Sequence, residues 1–313
     1  MRIINKKIVW QKDNRDPDAP PVNAKTFIEP LSYLLPFIIG LAIFTIFPIL
    51  NVFLISFKEN YRMITGEFSQ YGLANYQFIL QDRYFISSLR NTAIYVFTVI
   101  PISTTISMFF ALLLNKKLRF SALYQTAFFL PMVTSVIAVG LAWKWMYNYD
   151  YGIFNFFLGL FNIDPINWLN NPNYGLLVLI IYGIWSYLPF TIILLLAGLQ
   201  NINPLFTTAA KIDGASKSKI FFRITLPLLA PTVGLVLIVN MINASKVFTE
   251  LFPLFSGRPG AAYSLYTVVY YIYEVFYIKW RLGQASAAAI VLFLIVLLFT
   301  LVQLFIQRKW KHY

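Results

Sequence analysis

Apolar residues run through this chain in long blocks, with polar residues confined to short stretches between them. Six blocks reach the ~20 residues that an α-helix needs to cross a bilayer, at 31–57, 88–115, 122–147, 174–199, 226–255 and 283–307. Pro36, Pro48, Pro101, Pro131, Pro189 and Pro231 fall inside or beside them. Kinked helices are tolerated there when neighbouring helices re-satisfy the backbone. A further apolar stretch, 261–278, holds six tyrosines and Glu274. Tyrosine favours the membrane interface, and a carboxylate at mid-bilayer costs about 2.5–3.5 kcal/mol. This stretch is therefore expected to be a helix on the outer side, lying at or dipping into the membrane surface. The pattern predicts an all-α polytopic membrane protein with six transmembrane helices over 30–307. A polar arm at 1–29 precedes them and a basic tail at 308–313 follows.

One island breaks the pattern. Pro204–Pro231, PLFTTAAKIDGASKSKIFFRITLPLLAP, is charged and contains Ala, Gly and Ser where its neighbours are built for lipid. Asn203 is suited to cap a helix, and Pro204 fits a first helical position, where a missing N–H costs nothing. Leu205–Ile212 then reads as two turns, ended by Gly214 in the left-handed conformation. Ser216 is placed to cap a second short helix over Lys217–Ile224, and Pro227 to open the next long one. Ala209 and Ala210 give the first helix a low-relief surface that another backbone can approach. A helix this short is marginal alone in water, so it is expected to pack against something.

Charge sets the orientation. The arm, the loop after the second block, the 203–225 loop and the tail together hold sixteen Lys and Arg; the alternate loops hold six. Both termini and the 203–225 loop are thus expected in the cytoplasm, in a plasma or inner membrane. Of 313 residues 59% are hydrophobic and 12% charged, about half the charge of a soluble domain. The net charge of +13 is spread over short loops, so it points to membrane topology and not to nucleic acid. There is no cysteine, and the single histidine is His312. That removes thiol chemistry and most schemes built on zinc or a catalytic imidazole, and no metal site is expected.

Polar residues inside spans are candidate sites, because each is costly there. Asn240, Asn243, Ser245, Lys246 and Glu250 lie along the fifth block. Asn240 and Asn243 share a face at i, i+3, and Lys246 and Glu250 are spaced to pair at i, i+4. Two readings stay open: a polar strip along a translocation path, or hydrogen bonds between helices plus a structural ion pair. Lys144, between Trp143 and Trp145, either snorkels within an aromatic belt or faces a cavity. Tyr147, Trp185 and Tyr187 serve equally as interface anchors or as stacking platforms for sugar rings. The chain has no G-x-x-x-x-G-K-[ST] loop and cannot be its own ATPase. A secondary transporter would need coupling-ion carboxylates in the spans, for which only Glu250 and Glu274 offer. An intramembrane enzyme would need a catalytic constellation that the spans lack.

The order Ala209-Ala210, then Gly214, then Ile224-x-Leu226-Pro227, with Asp213-Gly214-Ala215 at its centre, resembles the "EAA" loop of ABC-importer permeases. Residues 128–155, 165–169, 185–204 and Gly283–Ala289 are similar to the sugar and oligosaccharide branch of that family. They match the larger membrane-subunit type of the maltose-importer group, without its extra spans and large outer domain. The resemblance implies a type I importer permease that forms half of a translocation path. Its partners would be a second permease subunit, two ATPase subunits and an extracellular or periplasmic solute-binding protein. It implies no cofactor on this chain, with ATP and Mg on the partner ATPase. The loop would be the coupling helix, with Thr208, Ala209, Ala210, Asp213, Gly214, Ile224, Leu226 and Pro227 at the motif positions. Thr208 stands where the family usually has Glu, so a charged contact made there is missing.

Overall fold

The computed structural model describes residues 24–116 and 120–310. Most of the expected arm at 1–29, and Lys117, Arg119 and Lys311 of the charge pattern, lie outside the described residues. The chain divides into two compact units, Met1–Asn51 and Val52–Tyr313. The first holds α1 (Ala24–Leu41), a π turn at Ala42–Ile46 and the start of α2 (Phe47–Ser56). In that turn the Phe47 N–H reaches back five residues to the Ala42 carbonyl, immediately before Pro48. A wider turn makes room for a ring that would otherwise crowd the carbonyl four residues back.

Among the described residues, five helices are long and apolar enough to span a bilayer: Ser32–Ser56, Arg83–Leu114, Gly175–Gln200, Lys217–Ala244 and Leu282–Gln307. The second unit holds the end of α2, then α3 (Ala74–Gln81) and α4 (Arg83–Leu114), the latter capped by the Asp82 carboxylate on the Tyr84 N–H at 2.8 Å. Next come α5 (Ser121–Val133), α6 (Val136–Met146), α7 (Ile153–Leu160) and α8 (Gly175–Gln200). Then follow α9 (Pro204–Ile212), α10 (Lys217–Ile220) and α11 (Leu226–Ala244). The last are α12 (Leu251–Phe255), α13 (Val268–Tyr273) and α14 (Leu282–Trp310).

Helix α8 lies at the centre of this unit, against α4, α5 and α11. Small side chains allow it: Ser88, Ser103, Ser107 and Ala111 of α4 are buried. A Cβ on Gly183 would lie 2.4 Å from the Tyr95 hydroxyl, and one on Gly198 would lie 2.7 Å from Leu229 and Thr232. Lipid tails are as apolar as leucine, so helices in a membrane associate by such close packing and not by hydrophobic expulsion. Other large side chains face outward, Phe97, Phe109, Phe293 and Phe305 among them.

Three expectations are corrected. The third block is not one straight helix: α5 and α6 meet at 99°, a bent pair that makes a sixth span only where the two cross as a unit. Pro131 weakens the last turn of α5, and the Thr134 hydroxyl takes the Leu130 carbonyl at 2.8 Å where the helix stops. Beyond the bend α6 packs on α12, where a Cβ on Gly140 would lie 2.3 Å from Pro253. The fifth block likewise stops short, at Ala244 and not at 255. Its end tightens as Lys246 and Val247 bond three residues back, to Asn243 and Ala244. The Val247 carbonyl is then taken by the Thr267 hydroxyl at 2.9 Å, and α12 forms separately. Finally, the tyrosines of 261–278 do not all sit at an interface. Tyr266, Tyr270 and Tyr271 are buried in protein, and α13 packs between α4 and α14. With its π turn this helix runs only from Val268 to Ile278, too short to span.

The connections 57–82, 147–174 and 245–281 gather at one end of this unit, and the connection 201–216 lies at the far end of α8. At the first of these ends the loops are tied to the helices. There the Asn91 amide donates to the Ser264 and Tyr266 carbonyls at 2.9 and 3.0 Å, and the Tyr271 hydroxyl bonds Asp82 at 2.8 Å. Burial and the Glu274 carboxylate, which accepts its hydroxyl, push Tyr266 above the ordinary phenol value.

The α4–α8 contact gives a direct test. Gly183→Val should destabilise the solubilised protein by about 1–3 kcal/mol, because the buried Tyr95 ring has nowhere to move. Thermal unfolding in detergent measures this, and an unchanged midpoint would show that the two helices do not meet there.

Candidate functional site

The 203–225 loop is built from local signals. The Asn203 side chain accepts from the Leu205 N–H at 3.0 Å, with Pro204 at the first helical position. At the other end the Ala215 N–H reaches the Ala210 carbonyl at 2.9 Å and the Gly214 N–H reaches Lys211 at 3.1 Å. These crossed bonds close the helix with Gly214 at φ +74°. Ser216 then accepts from the Lys219 N–H at 3.3 Å. The expected separate helix over Lys217–Ile224 does not stand apart. α10 passes through a π turn at Phe221–Thr225 into α11, so Lys217–Ala244 is one continuous helix of 28 residues. Here too the turn precedes a proline, Pro227, and the Leu226 N–H bonds Phe221 five residues back.

The motif residues fall into two groups. Ala210 is buried against the chain, while Ile224, Leu226 and Pro227 are half-buried at the root of α11. Thr208, Ala209, Asp213 and Gly214 are exposed. Ala210 therefore seats the helix on its own chain and offers no surface to a second backbone, contrary to the low-relief reading of both alanines. A different feature faces outward. Leu205, Thr208, Ala209 and Ile212 share the i, i+3, i+4, i+7 face opposite Ala210, and Leu205 and Ile212 are 70% and 81% exposed. The 3.6-residue period carried this signal, but the motif drew attention to the small residues. The helix thus carries an exposed, largely apolar stripe on the side away from the alanine that seats it.

The polar residues of the spans do not form one strip. Asn240 is fully buried and donates to the Thr191 hydroxyl of α8 at 2.8 Å. Its carbonyl oxygen has no partner among the described residues. Asn243, one turn on, is exposed. Lys246 and Glu250 lie beyond the end of α11 and do not pair; Glu250 accepts from the Phe248 N–H at 3.1 Å. Tyr187 is half-buried on α8 and packs against the core. The Tyr147 ring is 1% exposed, stacked on Phe154 at 4.6 Å, with its hydroxyl 3.3 Å from the Val178 carbonyl. It is a packing residue of the core. Lys144 bonds the Ser256 hydroxyl at 2.8 Å at the edge of a cavity of about 910 Å³. No group of acidic, His or Cys side chains fit for a metal occurs among the described residues.

Comparison with known proteins gives consistent matches. Residues 103–312 match the family described as "Binding-protein-dependent transport system inner membrane component". The chain is 35% identical over 280 residues to the trehalose/maltose transport system permease protein MalF of Thermococcus litoralis, covering 89% of this chain and 94% of that one. It is 31% identical over 284 residues to the arabinooligosaccharides transport system permease protein AraP of Bacillus subtilis, covering 90% and 89%. It is also 31% identical over 282 residues to the lactose transport system permease protein LacF of Rhizobium radiobacter, covering 89% and 94%. The fold is shared with a chain of a bacterial ABC transporter involved in the import of alginate, at a TM-score of 0.78 and 24% identity, over 91% of this chain and 96% of that one.

The Asn240–Thr191 bond is open to a double-mutant cycle with Asn240→Leu and Thr191→Val. A coupling of about 0.6–1.7 kcal/mol is expected in unfolding of the solubilised protein. Strictly additive effects would remove the bond.

Proposed function

This chain belongs to the binding-protein-dependent transport system inner membrane components, and from that membership we propose that it forms half of the path by which an ATP-driven importer carries a sugar or oligosaccharide. As a permease subunit it is a transport component and not an enzyme. A second permease subunit completes the path, two ATPase subunits bind ATP and Mg, and a solute-binding protein delivers the sugar from outside. Both termini and the 203–225 loop face the cytoplasm, in keeping with the positive charge gathered there.

The observation that carries this reading is the capped, outward-facing stripe Leu205–Thr208–Ala209–Ile212, next to the root of a span. Docked in a groove on an ATPase subunit, α9 moves when nucleotide closes the ATPase pair. The crossed cap at Gly214 and the cap at Ser216 hold the turn between α9 and α10 in one shape. Displacement then passes into Lys217–Ala244 without loss to a flexible joint. Asn240 and Asn243 sit near the far end of that helix. Asn240 ties it to α8, and Asn243 and Lys246 offer exposed polar groups to a passing solute. Glu250 and Lys144 add further polar groups beyond the end of α11, and Tyr187 of α8 a half-buried phenol. The spans rock between inward- and outward-open states around these groups. Thr208 gives the docking contact a hydroxyl in place of a carboxylate, so apolar Leu205 and Ile212 carry more of it.

Two substitutions test the reading. Gly214→Glu strains a φ of +74° by about 1–2 kcal/mol and meets no neighbouring atom, so the protein should still fold. Uptake into proteoliposomes should fall about tenfold or more, with weaker co-purification of the ATPase. Normal uptake together with normal co-purification would remove the loop from the coupling role. Asn243→Leu breaks no internal bond and should change stability by less than about 0.5 kcal/mol. It should raise the half-saturating concentration of binding-protein-delivered sugar, or lower the uptake rate, by about fivefold or more. Unaltered uptake would make Asn243 a lipid- or partner-facing residue.

A further inference from the structure

At the end of the Val52–Tyr313 unit opposite the 203–225 loop lies the cavity of about 910 Å³ edged by Lys144. Pockets for small molecules span roughly 300–1,000 Å³, so this one suits a ligand of several rings. It is walled by the end of α6, by the loops at 148–150 and 167–170, by the segment 254–263, and by Tyr270, Glu274 and Ile278 from α13 and its π turn. The 254–263 wall is unusual in its backbone. Ser256, Gly257, Gly260, Ala262 and Tyr263 all have φ between +50° and +73°. Three of these are not glycine, and such strain gathers where the surrounding structure serves a site.

Some polar groups on the walls are bonded, Lys144 to Ser256 and Tyr270 to the Gly257 carbonyl among them, and others are free. The Asp150 carboxylate, the Arg258 guanidinium and the Asn170 amide make no side-chain hydrogen bond among the described residues, although neighbouring loop amides and carbonyls are paired. Tyr149 and Tyr263 are 47% and 60% exposed at the rim and present ring faces and hydroxyls. The charges nearly balance. Lys144 and Arg258 are set against Asp150 and Glu274, and Glu274 is itself paired with Lys279 at 3.0 Å. A glycan carrying a carboxylate on each ring would need an excess of basic groups, and the walls have none. Mixed donors and acceptors beside exposed aromatic faces match polyhydroxylated, uncharged rings.

We propose that this cavity is an outer subsite for a neutral oligosaccharide, with Asp150 and Arg258 binding ring hydroxyls and Tyr149 and Tyr263 packing on ring C–H faces. The inference rests on the sugar-import reading and adds to it a place and a charge class. A chain delivered from outside would meet this subsite before reaching Asn243, and its balanced charge would hold back acidic glycans.

The chain has no cysteine, so Ala262→Cys places a single reporter thiol on the cavity wall. The assembled transporter, without binding protein, is treated with a maleimide, and modification is followed on this subunit. Maltotriose or arabinotriose at twice its Kd should slow modification about threefold, and a trimer of mannuronate should not. Adding Asp150→Ala and Arg258→Ala should abolish the protection while the unfolding midpoint stays within a few degrees of the reporter protein's. Equal protection by the trimannuronate, or protection that survives the double substitution, would overturn the proposal. So would protection by sugar-free binding protein but by no sugar, which would make the cavity a protein-docking face. Asn243→Cys serves as a second reporter. Protection there but not at Ala262→Cys would discard the outer subsite and leave sugar import standing; protection at neither, by any neutral trisaccharide, would count against both.

Discussion

A backbone carbonyl without a partner costs several kcal/mol in hydrocarbon, and the departures from regular helix in this chain are organised by that cost. At the bend between α5 and α6, Thr134 takes the Leu130 carbonyl. Where α11 stops, Thr267 takes the carbonyl of Val247. Before Pro48 and before Pro227, the helix widens to a π turn so that the preceding N–H still finds an acceptor. The chain bends where a side chain or a wider turn can keep the backbone satisfied.

The same constraint explains where function can sit. Regular spans leave few polar groups, so recognition moves to helix ends and breaks. The irregular turns at 245–250 and 256–263 carry Lys246, Glu250, Ser256 and Arg258. The 201–216 connection carries a helix that lies outside the bundle and is held by caps at both ends. One continuous helix, Lys217–Ala244, starts beside that connection and ends beside the polar turns, a length of about 42 Å for its 28 residues. Such a helix links the exposed 201–216 connection at one end to the polar turns at the other without a break.

Packing against α8 holds this lever in place. Gly198 lets α11 approach closely, and Asn240 with Thr191 adds a polar tie. A buried amide with a free carbonyl oxygen is a costly choice for a purely static contact.

Much of the architecture was legible in the residues alone. Hydropathy marked the five long apolar helices and the block that becomes the bent α5–α6 pair. Asn203, Pro204, Gly214 and Ser216 wrote the ends of α9 and α10, because capping is a local interaction between residues a few positions apart. Tertiary structure decided the rest. Whether Pro131 merely kinks a helix or ends it depends on what α6 packs against, and that is α12, more than a hundred residues away. Asn240 became a helix tie through Thr191, and Tyr147 a core residue through Phe154 and Val178. Lys246 and Glu250 have the right spacing but lost the helix needed to bring them together. Short-range bonds are determined by the order of residues; the fate of an in-membrane polar group depends on which distant segment arrives to satisfy it.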